Sequence, residues 1–148
     1  MKIKSQITIN STKDKVWKII TDIENSNTFI TGIEKIEILE QNGKEFNGLK
    51  WKETRTMFGQ TATEIMWITD SKEKESYSTR AESHGAIYIT EFTLKEKEGA
   101  TELSMDFSSK SVTFKAKLLS VMFFIFMRAT KKAFRDDLID IKAAVEKN

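Results

Sequence analysis

No cysteine and no proline occur anywhere in the 148 residues. Without cysteine there can be no disulfide, no thiol nucleophile and no thiolate metal site. Without proline, the turns fall to glycine and asparagine. Histidine occurs once, at His84, so a zinc site built on histidines lacks ligands, and no carboxylates are spaced as in a calcium loop. His84 sits on an expected turn beside Gly85, with no nucleophile or acid at a fixed spacing, and reads as a solvent-exposed turn residue. Arginine is scarce: Arg55, Arg80, Arg128 and Arg135 are the only ones among 24 basic residues. Phosphate-gripping surfaces lean on the guanidinium fork, and a net charge of +2 gives no strong field toward nucleic acid or an anionic membrane. There is no glycine-rich phosphate loop. The opening MKIKSQITIN alternates instead of forming an apolar stretch, so no signal peptide is expected. The longest apolar run, Leu118 to Met127, is about half of what would span a bilayer. These absences point to a cytoplasmic protein with no nucleic acid partner, no membrane span, no metal and no cofactor.

What is present fits one globular domain over residues 1–148. Hydrophobic residues make up 39% and charged residues 31%, and the length suffices for a core without staples. Lys2–Asn10 alternates as a half-buried strand. Ser11 or Thr12 then caps a helix whose buried side is Val16, Trp17, Ile19, Ile20 and Ile23. Asn25-Ser26-Asn27 is expected to break it, with a short second helical turn at Thr28–Thr31. Ile33–Glu40 alternates again before Asn42-Gly43, a hairpin signal. Further strands are expected at Phe46–Phe58, Gln60–Ser71, Lys74–Ser83, Ala86–Lys97 and Ala100–Ser109, punctuated by glycine-containing turns. From Val112 to Lys147 the pattern is helical. Ala116, Leu119, Phe123, Phe126, Thr130, Phe134, Leu138, Ile141 and Val145 step by three and four, laying one face on a core. Between Leu118 and Met127 the apolar character runs all the way round. Phe124 falls on the line of Arg128, Lys131 and Arg135, so a pocket rim, a homodimer contact or another protein contact is expected there. A break near Ser120 would turn the first segment into a lid. Strand, helix pair, strands and long helix make an α+β fold, with helices segregated to one face of an antiparallel sheet.

That order resembles the START-like or SRPBCC superfamily, and within it the bacterial polyketide cyclase/dehydrase-type proteins. The residues that carry the resemblance are Ser11-Thr12-Lys13-Asp14-Lys15-Val16-Trp17 with Asp22, then Gly48-Leu49-Lys50-Trp51-Lys52-Glu53-Thr54-Arg55, leading through Gly59 to Ala62-Thr63-Glu64. Ala81-Glu82-Ser83-His84-Gly85-Ala86 matches the hairpin, and Asp137-Leu138 to Lys142 the helix end. The resemblance implies a helix-grip fold: a curved antiparallel sheet of six to seven strands around a long C-terminal helix, with two short helices after the first strand. It also implies an apolar cavity between sheet and helix.

Strand alternation nominates the lining of such a cavity. Leu49, Trp51 and Met57 share a face with Glu53 and Arg55. Ala62, Glu64, Met66 and Ile68 share a face opposite Ile65 and Trp67, which leaves the inward side of that strand open. Tyr77, Thr79, Ala81, then Ala86, Tyr88, Thr90, Phe92, then Leu103, Met105, Phe107 make a consistent apolar side. The candidate ligand-binding residues are therefore Trp51, Glu53, Arg55, Met57, Glu64, Tyr88, Phe92, Met105, Phe123 and Met127. Arg55 needs a carboxylate partner if it is buried, and Glu64 or Glu53 is the natural one across a hairpin turning at Gly59. It is either a ligand-orienting element or a structural pair. Tyr77 and Tyr88 could donate to a carbonyl, but no spaced catalytic set is identified.

The function expected is the binding of a hydrophobic or amphipathic small molecule, a lipid, polyketide or aromatic compound, in the cavity. The alternatives are a cyclase or dehydrase working in the same cavity with Tyr, Arg and Glu side chains, and a protein-interaction module built on the Phe124 region.

Overall fold

The computed structural model describes residues 2–57, 59–83, 85–111 and 120–147, with the side chains of 57, 111 and 120–127 outside the description. The chain runs β1 (Lys2–Ile9), α1 (Lys13–Ile20), a 3-10 helix (Ile23–Thr28), β2 (Ile33–Glu40), β3 (Lys50–Met57), β4 (Gln60–Lys72), β5 (Ser76–Ser83), β6 (Ala86–Lys97), β7 (Ala100–Ser111) and α2 (Ser120–Glu146). Seven strands form one antiparallel sheet in the order β1-β7-β6-β5-β4-β3-β2. Successive hairpins lay down β2 to β7, and β1 closes the far edge against β7. The sheet is open and curved, with the C-terminal helix and the short helices, as the α+β helix-grip expectation has it.

Local chemistry explains the main elements. In β1 the alternating Ile3 and Ile9 are buried, and the ladder runs from Lys2 opposite Ser108 to Ile9 opposite Thr101. Thr12 caps α1, its hydroxyl accepting the Lys15 N–H at 3.3 Å, and Asp14 stands in the positive first turn. Val16 and Ile20 on its inner face are buried. In α2 the residues Leu138, Ile141 and Val145, spaced three and four apart, are buried as an amphipathic stripe requires. The end of α2 is fixed to β1 by charge-assisted bonds: Lys142 Nζ donates to the Thr8 carbonyl at 2.7 Å, and the Asn10 N–H donates to Glu146 Oε1 at 2.8 Å.

Three expectations need correction. Asn25-Ser26-Asn27 does not end helical structure; it lies inside the 3-10 helix, so the second helical segment is Ile23–Thr28 and not Thr28–Thr31. Short polar side chains close back on the chain there and stabilise the tighter turn. Ser26 Oγ donates to the Ile23 carbonyl and Thr28 Oγ1 to the Asn25 carbonyl, both at 2.7 Å. Second, β3 begins at Lys50 and not at Phe46. Gly48, with φ +84°, turns the chain so that its N–H bonds the Ile68 carbonyl at 2.8 Å. Phe46 leaves the ladder and meets Tyr77 edge-on, ring centroids 5.2 Å apart. Third, Asn42-Gly43 does not close a two-residue hairpin. Glu40 pairs with Lys50, so residues 41–49 all belong to the connection. Of the expected long helix, residues 112–119 lie outside the described residues, as do the side chains of Phe123, Phe124 and Phe126 and the question of a break near Ser120.

Candidate functional site

Between the sheet and α2 lies a cavity of about 270 Å³. Strand parity decides its walls. Trp51, Glu53 and Arg55 face it from β3, then Ala62, Glu64 and Met66 from β4, and Tyr88, Thr90 and Phe92 from β6. The inward side of β4, undecided from alternation, is therefore the Glu64 side; Ile65 on the other side is exposed. Tyr88 stacks on Phe107 with centroids 5.9 Å apart, and Phe107 meets Phe134 of α2 at 5.1 Å, so an aromatic wall joins sheet to helix. Of the candidate binding residues, Trp51, Glu53, Arg55, Glu64, Tyr88, Phe92 and Met105 line the cavity. Met57, Phe123 and Met127 have side chains outside the description, and His84 lies outside it altogether.

The polar centre matches expectation in part, since of the two carboxylates expected beside Arg55 only Glu53 pairs with it. Arg55 does not pair with Glu64. Its register partner on β4 is Ala62, while Glu64 stands opposite Glu53. The Arg55 fork instead reaches across to α2, with Nη1 donating to Asp137 Oδ1 at 3.1 Å and Nη2 to Asp137 Oδ2 at 2.6 Å. Its Nε donates to Glu53 Oε2 at 3.2 Å. Arginine suits this place because its planar donors match a carboxylate two at a time. Burial alone would lower the guanidinium's pKa, but the charges and hydrogen bonds of Asp137 and Glu53 hold it above its ordinary value. Burial pushes the Asp137 carboxyl up; Arg55 pulls it back, while Glu53 and Asp140 push it up again, and the net direction is upward. Gly32 backs the pair, since a Cβ there would stand 3.1 Å from Arg55 Nη1.

Asp137 entered the sequence reading only through the family resemblance, yet its spacing carried a signal. It falls three residues after Phe134 and four before Ile141, on the apolar stripe, where an acid must be buried and therefore paired. The wall contributed by Ile23, Ser26, Phe29 and Ile30 had no such signal, because it depends on the path of the 3-10 helix.

Two further groups matter chemically. Burial, helped by the Glu64 charge, raises the Tyr88 hydroxyl above the usual phenol range, so at neutral pH it is a protonated donor. The buried Trp51 indole N–H has no hydrogen-bond partner among the described residues. Among the described residues no cluster of histidine and carboxylate side chains could hold a metal ion, and no helix is long and apolar enough to cross a membrane.

A family model described as polyketide cyclase / dehydrase and lipid transport matches residues 1–146. The chain belongs to that family. No curated protein matches it. Solved structures of the same fold include a Thermus thermophilus protein, 9% identical, with a TM-score of 0.81 over 99% of this chain and 98% of that one. The Zhui aromatase/cyclase of Streptomyces sp. R1128 is 14% identical, with a TM-score of 0.79 over 99% and 94%. A START superfamily protein of Mycobacterium smegmatis is 13% identical, with a TM-score of 0.65 over 88% and 94%. At these identities the likeness is one of fold. Within the polyketide cyclase / dehydrase and lipid transport family, activity has to be argued from the cavity itself.

Proposed function

We propose that this protein binds a small, largely apolar molecule, such as a lipid fragment, polyketide or aromatic compound, in the cavity between the sheet and α2. The observation that carries the reading is an open cavity of about 270 Å³ inside an otherwise packed core, where Ile68, Leu103 and Leu138 are fully buried. The walls combine aromatic and aliphatic side chains with a few convergent polar groups, Arg55, Glu53 and Asp137, the make-up typical of small-molecule sites. The volume lies just under the range of about 300–1,000 Å³ typical of pockets for drug-sized ligands, which favours a compact ligand over a two-chain lipid. The family description names cyclase, dehydrase and transport roles, and ligand binding in the cavity is the step they share.

Native mass spectrometry of protein purified from its own host tests the proposal. A co-purifying small molecule is expected on the wild type and absent from Ala133→Trp, whose new ring would occupy the helix side of the cavity. A molecule that stays bound to a folded Ala133→Trp protein would place the binding elsewhere.

A further inference from the structure

We infer that the cavity takes ligands whose polar end is an uncharged hydrogen-bond acceptor, above all a carbonyl oxygen, and that the Trp51 indole N–H receives it. The inference rests on the reading of the cavity as a binding site and adds the chemistry of the ligand's polar end. Trp51 lines the cavity and is only 2% exposed, yet its Nε1 finds no acceptor among the described residues. Tyr77, on the same wall, shows the usual arrangement: its buried hydroxyl reaches the Ile20 carbonyl at 3.0 Å. An indole nitrogen can only donate, and a buried donor left alone forfeits its hydration with nothing in return. On a cavity wall, the missing acceptor can come from what the cavity holds. The carboxylates there are already served. Asp137 takes both Nη groups of Arg55, Glu53 takes Nε, and Glu64 is not without a partner.

Strand register puts Trp51 in line with a second donor. Trp51 pairs with Met66, Met66 with Ala81 and Ala81 with Tyr88. Both rings therefore stand on one inward row, three strand spacings or roughly 14 Å apart at the backbone. Ala81, small and central in that row, leaves room above the sheet. Tyr88 stays protonated, through burial and the Glu64 charge, so its hydroxyl can donate as well. A flat apolar body lying along the row, with Phe107 stacked on Tyr88, has a donor toward either end. That the acceptor is uncharged follows from the donors. A single neutral N–H cannot replace the hydration of an anion, and the Arg55 fork that could do so is filled by Asp137.

Three probes on one ring system separate the possibilities: tetralone, tetralin and the corresponding tetrahydronaphthoate, titrated calorimetrically at neutral pH. Tetralone is expected to bind about tenfold more tightly than either of the others, the worth of one good hydrogen bond. In nitrogen–proton spectra of the wild type, the Trp51 indole resonance should move downfield with tetralone, as an N–H gaining an acceptor does, and not with tetralin. In Trp51→Phe, whose fold is checked by thermal unfolding, tetralone should come within about threefold of tetralin. If that variant does not fold, the wild-type titrations and the indole resonance decide alone. Tetralin bound as tightly as tetralone overturns the need for an acceptor and leaves the binding cavity standing. A carboxylate equal to tetralone overturns the preference for an uncharged one. A preferred tetralone that leaves the Trp51 resonance in place overturns the assignment to Trp51. If none of the three binds at millimolar concentration, the binding cavity itself is refuted and the inference falls with it.

Discussion

Arg55 on β3 and Arg80 on β5 each hydrogen-bond a glutamate two residues away on the same strand face. Arg55 Nε meets Glu53 at 3.2 Å, and Arg80 meets Glu82 at 3.0 Å through Nε and 2.6 Å through Nη2. As local patterns the two are nearly equivalent, and by distance the outer one is the better bond. Their surroundings differ. The side chains of Arg55 and Glu53 are 20% and 13% exposed, those of Arg80 and Glu82 34% and 50%. Arg55 shares its face with Trp51 and lies under α2, which adds Asp137. Arg80 stands between Trp67 and Ile89 on the outer face, away from the cavity and its α2 wall. Strand parity and the element packed on that face decide what an ion pair is worth; the pair's own geometry does not.

Removing each arginine breaks the comparison open, and the inner one should cost most. Arg55→Ala leaves Asp137 and Glu53 buried without their cation, and a loss of about 3–5 kcal/mol in chemical denaturation is expected. Arg55→Lys should recover little of it, because a single ammonium cannot serve both oxygens of Asp137 and reach Glu53 as well. A loss below about 1 kcal/mol for the alanine variant would place the inner pair in the class of solvated surface pairs.

The contrast between these two arginines also shows how far a sequence can be read. The strand faces were legible wherever apolar residues repeat every second position, which put Trp51, Glu53 and Arg55 together before any coordinates. On β4 the pattern was two-sided, with Ile65 and Trp67 competing against Met66 and Ile68, and only the register with β3 and β5 resolved it. Of the two partners expected for Arg55, Glu53 is one and Glu64 is not, and Asp137 was missed as a partner for a related reason. Sequence proximity favours neighbours on the same hairpin, whereas the bidentate partner stands 82 residues away on another element. Loop paths were the least legible. Whether Phe46 joins a strand or packs on Tyr77, and whether Asn25–Asn27 ends a helix or continues one, depends on side-chain bonds that propensity does not contain.

Tyr77 sharpens the same contrast within one strand, since it faces inward three residues before outward-facing Arg80. Its hydroxyl donates to the Ile20 carbonyl at 3.0 Å, and its ring stacks on Phe92 at 4.8 Å. Tyr77→Phe should cost about 1–2 kcal/mol, because the Ile20 carbonyl is left without that donor. Burial, and then the Glu53 charge, raise the Tyr77 pKa well above the phenol range. A folded-state pKa above the unfolded value of about 10 gives a contribution that is complete below pH 10 and lost as pH climbs toward the folded value. The unfolding free energy should therefore fall above about pH 10 more steeply in the wild type than in Tyr77→Phe. Parallel slopes would show that the Tyr77 hydroxyl is in contact with solvent.

Arg80→Ala is the smallest expected effect and the control that gives the others meaning. Glu82, at 50% exposure, keeps its hydration when the arginine leaves, so no buried charge is stranded. What is lost is a screened Coulomb attraction, offset in part by the regained freedom of a long side chain. Some packing goes as well, since the guanidinium stem lies between Trp67 and Ile89 in the ladder register. Together these should come to less than about 1 kcal/mol in chemical denaturation at low salt, and to less still at high salt, where the pair is screened. The salt dependence is the discriminating part. Loss of packing would not respond to salt, so an unchanged difference at high ionic strength would assign the effect to the arginine stem and remove the Arg80–Glu82 charges from the account. A loss as large as that of Arg55→Ala would end the argument that the covering helix, and not the ion pair itself, sets the energetic difference between the two faces.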